Sequence, residues 1–66
     1  MDFKEMVKHI KEGNDRVFLD EEFLPNLEYI GEDLNTKHRP KYCGTHQGKA
    51  WFSLKLGKRI VYIHIC

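Results

Sequence analysis

Between Ala50 and Cys66 the chain alternates apolar and polar side chains on both sides of the dipeptide Gly57-Lys58. Two runs rich in β-branched and aromatic residues, Ala50–Leu56 and Arg59–Cys66, joined by two residues with Gly first, predict a β-hairpin closed by a type II′ turn. Such a turn fixes the pairing, so Leu56 is expected opposite Arg59, Leu54 opposite Val61, Phe52 opposite Ile63 and Trp51 opposite His64. Successive strand residues point to opposite faces. One face then collects Ala50, Phe52, Leu54, Leu56, Val61, Ile63 and Ile65, with Arg59 as its one polar member, and reads as core. The other collects Trp51, Ser53, Lys55, Ile60, Tyr62, His64 and Cys66, and reads as an amphipathic surface.

The period changes near the start of the chain. Phe3, Met6, Val7 and Ile10 recur at helical spacing between Asp2 and Glu12, with Asp2 placed to cap, Glu5 at the third helical position and Gly13-Asn14 as a left-handed stop. Arg16–Leu19 is a short β-rich run and predicts a strand. From Asp20 onward the pattern is mixed. Asp20-Glu21-Glu22 suits one helical turn ending before Pro25, because the residue before a proline avoids the helical region. Leu27, Ile30 and Leu34 have helical spacing interrupted by Gly31, while Leu27–Gly31 also reads as a short strand, the expectation preferred here. Asn35–Gly48, broken by Pro40, Gly44 and Gly48, reads as a linker in which Lys41-Tyr42-Cys43 begins an edge strand. The whole chain, 1–66, is expected to be a single small α+β domain. Its N-terminal helix would pack on a small antiparallel sheet of three to four strands ending in the C-terminal β-hairpin.

Charge divides the chain more sharply than its net value of +1 suggests. Residues 1–35 hold all ten carboxylates and four basic residues, a balance of −6; residues 36–66 hold seven basic residues and no acid, a balance of +7. Either the two halves meet partners of opposite sign, or they fold against each other and neutralise. Asp15, Asp20, Glu21, Glu22, Glu28, Glu32 and Asp33 crowd one segment, which is either a solvated acidic loop or an acidic docking surface. A chain of 66 residues buries only about 60% of its unfolded surface, so an enclosed catalytic cavity is not expected and an additional staple would help it fold. The opening Met-Asp-Phe-Lys-Glu is unlike a signal peptide, and no run approaches the roughly 18 apolar residues of a membrane span. The expected setting is cytoplasmic, with no membrane partner, and there two cysteines are thiols or metal ligands more often than a disulfide.

Three constellations bear on function. Cys43 and His46, three residues apart around Gly44, with His64 and Cys66, two apart on one strand face, form a candidate Cys2His2 structural zinc site. The competing reading is no cofactor and ordinary packing, since neither pair has standard ligand spacing and His64 can stack beside Trp51 and Tyr62. Second, Trp51, Lys55, Ile60, Tyr62 and His64, flanked by Lys49, Lys58 and Arg59, would form an aromatic patch rimmed by positive charge if nothing covers it. If the acidic segment folds over it, the patch becomes a second core layer. Third, Cys43 near His46 could form an activated thiol, but no oxyanion site, phosphate loop or nucleophile elbow accompanies it. An enzyme is therefore not expected. The leading expectation is a small non-enzymatic regulator or inhibitor that docks onto a larger protein. It would use the aromatic and basic residues Trp51, Lys55, Tyr62, His64, Lys49 and Arg59, or the acidic segment. The alternative is a nucleic-acid-binding module in the basic aromatic half, with or without a structural zinc; homodimer formation through a free strand edge also stays open.

Overall fold

A computed structural model describes all residues from Met1 to Cys66. Helix α1 (Phe3–Lys11) is followed by strand β1 (Arg16–Leu19), a 3-10 helix (Glu21–Tyr29), helix α2 (Ile30–Leu34) and strands β2 (Lys41–His46), β3 (Lys49–Leu56) and β4 (Arg59–Ile65). The strands form one sheet in the order β1-β4-β3-β2. The fold is α+β, with the expected N-terminal helix and C-terminal hairpin. The hairpin register is as predicted, Trp51 pairing with His64, Phe52 with Ile63, Leu54 with Val61 and Leu56 with Arg59. The sheet, however, is mixed: β1 runs parallel to β4, placing Arg16 beside Tyr62 and Phe18 beside His64. Parallel neighbours need a long crossover, and the chain between β1 and β4 supplies it with the helical segments, β2 and β3.

Local chemistry explains the ends of α1. The Asp2 carboxylate accepts from the Glu5 amide at 2.8 Å, an N-cap. At the other end Asn14 N–H donates to His9 O and Gly13 N–H to Ile10 O, with Gly13 at φ +104°, which is the paired bonding of a Schellman motif. Met6, Val7 and Ile10 are buried from this helix, as its apolar stripe predicts.

The expected strand at Leu27–Gly31 is absent. That stretch closes the 3-10 helix and opens α2, and the helical turn continues through Pro25 instead of stopping before it. Leu27 and Ile30 are both buried while Glu28 and Tyr29 between them are exposed, a spacing that a strand of period two cannot give. Gly31, which interrupted the helical pattern, is required by close approach: a Cβ there would lie 2.6 Å from the Thr36 carbonyl oxygen. The linker reading of Asn35–Gly48 is corrected as well. Lys41–His46 pairs with β3 as a full edge strand, closed by a second two-residue turn in which Gln47 and Gly48 both take positive φ.

All eleven buried residues are apolar and form one cluster, made by Met6, Val7, Ile10, Leu27 and Ile30 from the helical layer and Val17, Leu19, Leu54, Val61, Ile63 and Ile65 from the sheet. Both helical segments therefore lie on one face of the sheet. The reading in which the acidic segment covers the Trp51 face is overturned by this placement. No helix is long and apolar enough to cross a membrane.

Candidate functional site on the open sheet face

With the helical layer on one side, strand alternation leaves Arg16 and Phe18 of β1, Ile60, Tyr62 and His64 of β4, and Trp51, Ser53 and Lys55 of β3 on the other. Register aligns them in rows. Phe18 pairs with His64, His64 with Trp51, and Trp51 with Gly44, so one row crosses all four strands. The next runs Arg16, Tyr62, Ser53 and Lys41.

The first row is aromatic and its rings face one another. The His64 imidazole lies 5.5 Å from the Phe18 ring on one side and stacks on Trp51 at 5.9 Å, 12° from parallel, on the other. Tyr62 sits tilted beside Trp51 at 5.7 Å, and the Arg16 guanidinium lies over Phe18, 5.9 Å from the ring centroid. The row ends where Trp51 reaches Gly44: a Cβ there would meet the indole Nε1 at 3.9 Å, an ordinary contact. Gly44 follows the one register break in the sheet, the bulge between Tyr42 and Gly44, and holds φ +134°. Phe18 is 42% exposed, Tyr62 40% and Ile60 51%, so the rows form a continuous aromatic and aliphatic surface.

The charges on this surface have one sign. No strand contains Asp or Glu, and Arg16, Lys41 and Lys55 make no salt bridge. Burial pushes the His64 imidazole below its usual pKa range, and the nearby Arg16 and His46 charges push the same way, so the ring is neutral at pH 7.

Trp51, Lys55, Tyr62 and His64 are brought together as expected. Lys49 stands at the end of β3 and reaches Glu21 at 3.5 Å. Arg59 belongs elsewhere: it points to the helix side, where Nε donates to Asp15 Oδ1 at 2.9 Å and an η nitrogen donates to the carbonyls of Ile10 and Asn14 at 3.2 and 3.3 Å. It ties the C-terminal end of α1 to the hairpin turn, as a cation near the negative end of a helix should. Phe18 and Arg16 were missed. The alternation of Arg16-Val17-Phe18-Leu19 marks them as outward once Val17 and Leu19 are taken as core, but their place beside His64 depends on the parallel pairing.

The four proposed zinc ligands are not assembled. Cys43 is the extra residue at the bulge, exposed, with its thiol donating to Lys41 O at 3.4 Å. His46, His64 and Cys66 border one shallow pocket of about 380 Å³, yet no group of three or more His, Cys, Asp or Glu stands close enough to hold a metal ion. The physical reason is that Lys41–His46 is an extended strand and not a tight turn, which holds Cys43 and His46 about 10 Å apart along the chain. On the helix side, an open groove of about 790 Å³ runs between Pro25, Tyr29 and Glu32 and the facing Pro40 and Phe52.

No protein-family model, curated protein or solved structure matches the chain.

Proposed function

We propose that this protein is a non-enzymatic binding module, a regulator or inhibitor that docks onto a larger protein through the open face of its sheet. One observation carries the reading: the row Phe18, His64, Trp51 and Gly44 crosses every strand on the face that neither helical segment covers. Apolar surface of this kind is costly to leave in water, and aromatic anchors beside basic residues are the usual centre of a protein interface. The size of the chain supports the same reading, because a single helical layer on one sheet leaves no enclosed cavity among the strands for catalysis.

A second reading, a surface for single-stranded nucleic acid, has one observation in its favour: the open face carries four basic strand residues, Arg16, Lys41, Lys49 and Lys55, and no acid. The two separate in salt. Polyanion binding falls steeply and log-linearly as salt rises, whereas docking through apolar anchors is less sensitive. The experiment is Trp51→Ala in protein immobilised on a surface over which cell extract is passed. A specifically bound partner is lost from the variant while its far-ultraviolet circular dichroism stays that of the parent. A variant that keeps the partner contradicts the proposal.

A further inference from the structure

Resting on the docking reading just given, we infer that the open sheet face takes an acidic protein surface, one whose apolar side chains meet the aromatic row and whose carboxylates lie on its rim. Three features point to this partner. The first is sign. Arg16, Lys41 and Lys55 stand around the row without ion-pair partners, and the molecule's own carboxylates lie in the helices and turns, none on a strand. A partner with carboxylates gains from this field, and a basic partner is repelled by it.

The second is the state of the ring faces. A nucleobase stacks on a free aromatic face. Here His64 has Phe18 on one side and Trp51 on the other, Phe18 has Arg16 over it, and Trp51 has one face on His64 and its Nε1 edge toward Gly44. The faces of His64 and Phe18 are thus engaged within the row, one face of Trp51 is taken by His64, and these rings turn their edges outward. Edges suit carboxylates and aliphatic side chains better than bases, because the rim of an aromatic ring is its positive part.

The third is the neighbouring aliphatic ground. Ile60, half exposed, continues the surface beyond Tyr62 opposite Lys55, and a protein side chain buries such a residue more readily than a sugar-phosphate strand does.

The test uses the full chain, isotope-labelled with nitrogen-15, titrated with four probes: a random copolymer of glutamate and tyrosine, polyglutamate, a copolymer of lysine and tyrosine, and oligothymidylate. The glutamate-tyrosine copolymer is expected to shift the amide signals of Phe18, Trp51, Tyr62 and His64 and the Trp51 indole signal, and to bind more tightly than the other three. The double reversal Arg16→Glu and Lys55→Glu, both at exposed positions, is expected to weaken that binding by about tenfold, with Lys41→Glu as a single-site check should the double variant fold poorly. Tighter binding of oligothymidylate, or equal binding of the lysine-tyrosine copolymer, overturns the acidic partner and leaves the docking face standing. If no probe moves any outer-face signal, the inference and the docking reading both fall.

Discussion

Phe52 and Trp51 are adjacent in sequence and lie on opposite sides of the same strand, and the two regions they belong to have little else in common. On the Phe52 side, Leu54, Val61 and Ile63 are fully buried beneath α1 and the segment around Ile30. On the Trp51 side, rings and lysines stand in water with nothing of this chain above them. Each buried aliphatic side chain on the inner face contributes about 1.5 to 3 kcal/mol of transfer free energy, whereas cross-strand aromatic neighbours on the outer face contribute about 0.5 to 1.5 kcal/mol per pair. Strand alternation thus lets one small sheet hold its fold together with every second residue and present the others to a partner.

If the inner face is the stabilising one, changes there have the largest effect. Leu54→Ala should cost about 2 to 5 kcal/mol, a large part of the roughly 3 to 10 kcal/mol expected for a domain this size, and should appear as a collapsed urea midpoint. Gly31→Ala tests the helical layer that seals that face. The contact with Thr36 O outweighs the gain in helix propensity of up to about 1 kcal/mol, for a net loss of about 1 to 2 kcal/mol in the same measurement. Arg59→Ala sharpens the boundary between the regions: losing its bonds to Ile10, Asn14 and Asp15 should cost about 1 to 2 kcal/mol of stability and leave partner affinity unchanged. An affinity loss without a stability loss would return Arg59 to the docking surface.

The smallest effect is the pH dependence from His64. Its folded-state pKa lies below the unfolded value of about 6.5, so the unfolded chain binds more protons as pH falls. Stability is full above about pH 6.5, declines as pH drops from there through the folded pKa, and levels off below it. Arg16 and His46 are the charged and titratable neighbours that act on this ring. Urea midpoints between about pH 7 and pH 5 should fall for the parent and fall less for His64→Phe.

The legible parts of the fold were those with a local cause. The Gly57-Lys58 turn sets the hairpin register without help from the rest of the chain, and Asp2 and Gly13 bound α1 through bonds within a few residues. The parallel partnership of β1 with β4 and the helical course of Leu27–Leu34 are decided by long-range packing. Only the core shows that Leu27 and Ile30 must point the same way, and only Thr36 shows why residue 31 is glycine. The candidate site followed the same division. Trp51, Tyr62 and His64 came from the hairpin's alternation, while Phe18 and Arg16 depended on a strand pairing that no local signal specifies. Arg59 was drawn to the wrong surface by its charge, although its register position opposite Leu56 already placed it on the inner face.

The most direct measurement is the pair of urea unfolding curves for Trp51→Ala and Leu54→Ala, two changes three positions apart on one strand. Trp51→Ala is expected to keep a cooperative transition and lose only about 1 to 2 kcal/mol, clearly less than Leu54→Ala. Equal losses, or an unfolded Trp51→Ala variant, would make the outer face a second core and contradict the division between a folding face and a docking face.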